Sequence, residues 1–206
     1  MNKQSLLESL KARGFSVLII KAFEKVKRDD SIPENAKAYA YRDTALSIGE
    51  GQTISQPYTI AFMLSLLELD KIKNKKCNIL EIGSGSGYVL ALLSEMHKKA
   101  EIYGLEIKSS LVESSKKLLE KNKKIHIINK SGFLGFPEKA PYDRILISAS
   151  AQDLEILNPI IKQLSSNGIL VSSVQNSIFQ IKKYKEKIRV KEHPGFVFVP
   201  LVKNNS

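Results

Sequence analysis

From residue 78 onward, short apolar runs alternate with amphipathic stretches. Residues 78–82, 102–107, 125–128 and 143–149 have the length and β-branched content of buried strands, and residues 168–171 begin a fifth. Between them, apolar residues three and four apart predict helices over 88–97, 111–121 and 154–164. Strands and helices in alternation form βαβ units, which give a parallel sheet covered on both faces. Residues 177–184, 187–191 and 196–199 then read as strands with no long helix between them, so an antiparallel edge is expected at the end. The predicted fold class is α/β, doubly wound and mostly parallel.

The first 70 residues follow a different pattern. Leu6, Leu7 and Leu10 lie at helical spacing, and residues 17–26 continue it with Leu18, Ala22 and Val26 on one side. Ser31-Ile32-Pro33-Glu34-Asn35 breaks the pattern, because proline lacks a donor and disfavours helix before it. An irregular stretch runs to Gly51. Pro57 then opens a helix carrying Ile60, Met63, Leu64 and Leu67, with Glu68 expected to be exposed. No repeat, low-complexity segment or linker divides the chain. One domain over 1–206 is expected, with a helical cap over 1–70 and a sheet core over 76–203.

Composition narrows the class. The 206 residues are 43% apolar and 26% charged, ordinary values for a soluble globular protein. The N-terminus shows no signal-peptide pattern, and the apolar stretch 60–69 is too short to span a bilayer, so a cytoplasmic location with no membrane partner is expected. Cys77, the one cysteine, reads as a small core residue. His97, His126 and His193 lie far apart, so no metal is expected, and His126 between Ile125 and Ile127 should point away from the core. The net charge of +11 could attract nucleic acid, yet the lysines fall in separate groups over 71–76, 116–124 and 182–191. Solvated faces account for most of them.

The most informative stretch is Glu81-Ile82-Gly83-Ser84-Gly85-Ser86-Gly87-Tyr88, where a predicted strand gives way to a helix. Glycines there allow a sharp turn and close approach of a ligand. A dinucleotide fingerprint would need its third glycine where Tyr88 stands, which counts against a nicotinamide cofactor. Glu106 ends the second strand about twenty residues further on, where doubly wound nucleotide-binding folds place an acid to accept both ribose hydroxyls. The E-x-G-x-G-x-G pattern resembles the first motif of class I S-adenosylmethionine-dependent methyltransferases, with their seven-stranded Rossmann-like sheet. That resemblance implies S-adenosyl-L-methionine as cofactor, with Glu81 facing its ammonium group and Gly83, Ser84, Gly85 and Gly87 forming the loop beneath it. It also assigns Glu106 and Ile107 to the ribose, and Ser131 and Gly132 to the adenine.

A second stretch, Gly51-Gln52-Thr53-Ile54-Ser55-Gln56-Pro57, read alone is a loop leading into a helix with Ser55 as a near-cap. It is nevertheless similar to the signature loop of the protein-L-isoaspartate O-methyltransferases. Lys27-Arg28-Asp29-Asp30 with Ile32-Pro33, Ala40-Tyr41-Arg42-Asp43, Ala140-Pro141-Tyr142-Asp143 and Phe198-Val199-Pro200-Leu201 extend the likeness from about Leu6 to Leu201. The resemblance implies methyl transfer to the free carboxylate of isoaspartyl residues in damaged proteins, by a monomer. It makes Ser55 the catalytic residue, with Thr53, Ile54, Val199 and Leu201 holding the substrate peptide.

The chain departs from that family at Ser131, which stands where an aspartate is usual, at 172–175 and 151–153, and at Gly195. Two alternatives therefore stay open at this point: a methyltransferase acting on another substrate such as RNA, and a weakened scaffold with an interaction role.

Overall fold

The computed structural model describes residues 1–185 and 187–196. Seven strands form one sheet: β3 (Cys77–Ile82), β4 (Ala100–Glu106), β5 (Ile125–Asn129), β6 (Tyr142–Ala151), β7 (Leu164–Val174), β8 (Ser177–Tyr184) and β9 (Lys187–Pro194). Their order is β5-β4-β3-β6-β7-β8-β9. The first five run parallel, and β8 pairs antiparallel with both β7 and β9. The order reverses direction at β3, so the carboxyl ends of β3, β4 and β6 open a crevice there. Such a switch point is where open α/β sheets take their ligands.

Helices α4 (Tyr88–Met96) and α5 (Ser109–Leu119) match the sequence reading to within two residues. The helix expected over 154–164 does not form at that length. A single 3-10 turn leads into the four-residue α6 (Asn158–Ile161), and Leu164 already belongs to β7. Pro159 sits in the first turn of α6 and allows the helix to begin only at Asn158. The strand expected over 196–199 lies outside the described residues except for Phe196, which is not in a strand.

The cap consists of α1 (Lys3–Ala12), α2 (Val17–Lys25) and α3 (Pro57–Leu66). The helical spacing that runs from Leu6 to Val26 is interrupted at Gly14, whose φ of 81° ends α1, and Ser16 then caps α2. Leu6, Leu10, Ile19, Phe23, Ile60 and Leu64 share one continuous core with Ile79, Leu90 and Ile102 of the sheet layer. The cap is thus packed onto the sheet through apolar contacts.

Between α2 and α3 the sequence reading gave only an irregular stretch. The structure has two 3-10 turns there and then a hairpin of β1 (Leu46–Gly49) and β2 (Gln52–Ile54). Its turn uses positive φ at Gly49, Glu50 and Gly51, a geometry that two glycines make accessible.

Glu68 is half-buried rather than exposed. Its carboxylate holds Lys71 at 2.8 Å and Lys182 of β8 in a short ion pair, which pulls it below the usual carboxylate range despite burial. Beside it, Arg144 of β6 is 3% exposed and donates through Nε to the Leu67 carbonyl and through Nη2 to that of Glu68. It thereby caps the last turn of α3 and fastens the cap to the sheet. Arg144→Ala should lower the unfolding free energy by about 3 kcal/mol in urea titrations, since it strands buried carbonyls.

Candidate functional site

The turn after β3 is laced to its neighbour: the Gly83 and Ser84 amides both donate to the Leu105 carbonyl, at 2.9 and 3.0 Å. Glu106 fixes the turn from the other side. One of its oxygens accepts the Gly85 amide at 2.9 Å, and the other accepts the Ile107 and Lys108 amides at 2.8 and 2.9 Å. A carboxylate offers about four acceptor positions, so three are occupied and one remains for a ligand hydroxyl. Sequence reasoning gave Glu106 two ribose hydroxyls. Gly87 does not line the cavity. It starts α4 at φ 80°, and a Cβ there would come within 2.9 Å of Leu119, so its glycine keeps α4 close to α5.

Glu81 is 1% exposed. One oxygen accepts the Ser148 hydroxyl at 2.9 Å, and the other has no partner. The Ser84 hydroxyl beside it is likewise buried without a partner. Burial raises the Glu81 pKa to about 8, Ser148 opposes the rise, and the nearby Glu106 charge adds to it. An unpaired carboxyl oxygen and an unpaired hydroxyl on two residues that line one cavity suit a group that brings its own hydrogens, as an ammonium cation does.

Ser131 and Gly132 follow β5 and line the outer part of the crevice with Ile107, Lys108 and Lys130. A Cβ on Gly132 would lie 2.2 Å from the Ile82 side chain, so the backbone passes hard against the end of β3. Asn129 clamps this rim by donating to the Glu106 and Ile107 carbonyls at 2.9 and 3.1 Å.

The β1–β2 hairpin closes the crevice from the cap side. An inner cavity of about 50 Å³ is lined by Ser55, Ile54, Thr53, Glu81, Ser84 and Ser148. An outer cavity of about 160 Å³ adds Glu106, Ile107, Ser131 and Gly132. Thr53, Ile48, Gly83, Gly85 and Ser148 border both, so the two cavities adjoin. The glycine turn and the Ser55 segment therefore face each other across the inner one. At the hairpin tip, Glu50 accepts the Ser110 hydroxyl at 2.8 Å and latches the strands against α5.

Val199 and Leu201 lie outside the described residues. Sequence reasoning missed Ser148, Met63, Ile60, Ile48 and Leu146, all of which border the inner cavity. Ser148 had a usable signal, since it ends the strand predicted to lie in the same parallel sheet as the Glu81 strand. Cys77 at the start of β3 and His97 at the end of α4 are buried together, where burial pushes the thiol up to about 11, and His126 projects outward onto Glu101 at 2.9 Å. No group of three or more His, Cys, Asp or Glu that could hold a metal occurs among the described residues.

The titration of Glu81 has a readable sign. Its pKa is near 4.5 in the unfolded chain and about 8 when folded, so the native state binds the extra proton between those values. Stability should then fall as pH rises from about 5 to 8, and Glu81→Gln should flatten that slope in thermal melts.

Comparison with known proteins bears on this geometry. The family described as protein-L-isoaspartate(D-aspartate) O-methyltransferase matches residues 1–206. A protein-L-isoaspartate O-methyltransferase of Pyrococcus horikoshii is 38% identical over 206 residues, covering 95% of this chain and 90% of the relative. One from Methanococcoides burtonii is 36% identical, covering 96% and 98%. A Plasmodium falciparum chain crystallised with S-adenosyl-L-homocysteine superposes with a TM-score of 0.83 at 29% identity, covering 99% of this chain and 100% of that one. The chain thus belongs to the protein-L-isoaspartate O-methyltransferase family and is an S-adenosylmethionine-dependent methyltransferase.

Proposed function

We propose that the crevice holds S-adenosyl-L-methionine with its ammonium group at Glu81 and Ser84, its ribose at Glu106 and its adenine between Ile107, Ser131 and Gly132, while Ser55 and Thr53 hold the isoaspartyl carboxylate. The observation that carries this reading is the pair of orphaned atoms at the inner end, Glu81 Oε2 and Ser84 Oγ. Leaving buried polar groups unpaired costs stability, and a ligand that pairs both recovers it.

When bound, the cofactor supplies a methyl group on a positively charged sulfur. The chain has correspondingly little acid–base work to do. An α-carboxylate ordinarily titrates near about 3.5 and is ionised at neutral pH, so it needs no general base. Consistently, among the described residues no histidine or lysine borders the inner cavity, and Glu81 is its one carboxyl group. What the residues contribute is alignment: the Ser55 and Thr53 hydroxyls donate to one carboxylate oxygen and leave the other aimed at the donor. Ile54, buried at 5% exposure, anchors the segment and shapes the wall of the cavity.

The +11 charge does not favour RNA as the methyl acceptor. Lys73, Lys75 and Lys76 precede β3, Lys98 and Lys99 precede β4, and Lys123 and Lys124 precede β5. Because these strands are parallel neighbours, the lysines gather on the amino edge of the sheet. The Lys99 ammonium donates to the Asn74 carbonyl at 3.2 Å and that of Lys124 to the Lys98 carbonyl at 2.9 Å. A six-residue strand separates that edge from the crevice by roughly 20 Å, so an anion bound there would not meet the donor. No helix among the described residues is long and apolar enough to cross a membrane. The reading places the activity in the cytosol, carried by a monomer acting on damaged proteins.

Transfer of labelled methyl from S-adenosylmethionine to an isoaspartyl peptide should exceed that to the normal aspartyl peptide by at least about tenfold, and equal, background-level labelling would refute the proposal. Ser55→Ala should lower kcat by about 10- to 100-fold with little change in cofactor affinity. Because Glu81 must lose its proton to face an ammonium group, cofactor binding below pH 8 should release a proton, visible as a buffer-dependent calorimetric enthalpy.

A further inference from the structure

Arg28 is sealed inside the protein at 0% exposure, in the 3-10 turn that follows the first two cap helices. Its Nη2 donates to the Ser55 carbonyl at 2.8 Å and lies 3.4 Å from the Thr44 carbonyl. These carbonyls flank the hairpin: Thr44 stands two residues before β1 and Ser55 directly after β2. The guanidinium carbon also lies 5.4 Å from the centre of the Tyr88 ring. Tyr88 opens α4 immediately after the glycine turn. One side chain therefore touches both ends of the hairpin and the wall that the hairpin faces.

Stability alone does not account for this arrangement. Among the described residues, Nε and Nη1 have no acceptor. Burial lowers the Arg28 pKa to about 10, so the group is still a cation at neutral pH. The nearby Asp43 is engaged elsewhere, accepting the Tyr58 amide at 2.8 Å and pairing with Arg13 at 3.6 Å. Asp29 accepts the Tyr41 hydroxyl. A buried cation with unpaired donors and no carboxylate in contact among the described residues carries a desolvation cost that its two carbonyl contacts offset only in part. One guanidinium nitrogen, Nη2, holds both carbonyls while the delocalised cation lies by the Tyr88 ring, which methionine cannot reproduce and the compact, strongly hydrated ammonium of lysine does poorly.

We infer that Arg28 is a positioning residue: it clamps the two ends of the β1–β2 hairpin against Tyr88 and so fixes where Ser55 stands relative to the methyl donor. The inference rests on the proposed role of the hairpin as the substrate loop. It explains why a tyrosine stands at the position that would be glycine in a dinucleotide-binding turn. It also gives the family-like Lys27-Arg28-Asp29-Asp30 stretch a mechanical task at a site 27 residues away in sequence.

The test compares Arg28→Met and Arg28→Lys with the wild type in four measurements: kcat and KM on an isoaspartyl peptide, calorimetric affinity for S-adenosyl-L-homocysteine, thermal midpoint, and amide hydrogen exchange. Both variants should lose about 10- to 100-fold in kcat, as a displacement of about 1 Å from the reacting geometry would cause. Affinity for S-adenosyl-L-homocysteine should stay within about threefold, and exchange over residues 44–56 should quicken about tenfold while the sheet is unchanged. The methionine variant removes a poorly paired buried cation but strands the Thr44 and Ser55 carbonyls, so it should melt a few degrees below the wild type and remain folded at the assay temperature. A methionine variant with kcat within about twofold of wild type would overturn the inference. So would, in both variants, a kcat loss that merely tracks lower melting and lost ligand binding, as general destabilisation gives. If the wild type itself fails to methylate the peptide, the proposed function falls, while exchange over 44–56 and ligand affinity still decide whether Arg28 clamps the hairpin.

Discussion

Glu81 is placed where no protein donor reaches its second oxygen, and the rest of the site is arranged around that shortage. β3 runs between β4 and β6 at the point where the sheet reverses order, so its last residues are covered on every side except the crevice. The Ser148 hydroxyl partly satisfies the group, the Glu106 charge discourages its ionisation, and burial at 1% exposure desolvates it. A cation presented from the crevice relieves all three constraints at once. The proposed preference for a positively charged ligand at the inner end therefore follows from packing and desolvation, with no other charged side chain among the described residues bordering that cavity.

The other half of the site is mechanical. A short hairpin has little core of its own, and only Ile48 and Ile54 are buried in it. Its position is set at three points: Glu50 on Ser110 at the tip, and the Thr44 and Ser55 carbonyls on Arg28 at the base. For a reaction whose nucleophile is already ionised, such fixing is what the protein can add. It also explains how one segment can close over a cofactor and still serve as a wall for a peptide.

The parallel core was legible because buried strands carry unmistakable apolar runs, and Ile79, Ile82, Ile145 and Ile147 are within 1% of fully buried. The glycine turn and Glu106 were legible through their spacing, which follows from strand and helix lengths. The hairpin was not, because residues 46–54 hold too few apolar positions to show a period of two. The overlong helix at 154–164 came from reading apolar spacing without giving Pro159 enough weight. Ser148 and Arg28 act on residues 67 and 27 positions away, and contacts of that range are settled by the fold rather than by any local pattern. The lysines looked scattered for the same reason, until parallel pairing brought Lys73, Lys75 and Lys76, Lys98 and Lys99, and Lys123 and Lys124 to one edge, while those of 182–191 stay on the hairpin of β8 and β9.

The most direct test of the account is a crystal structure with S-adenosyl-L-homocysteine and an isoaspartyl peptide bound. The homocysteine amino group should contact Glu81 and Ser84, and the peptide carboxylate should lie at Ser55 beneath the hairpin. Ligand density on the far side of the glycine turn, or a peptide bound away from Ser55, would contradict it.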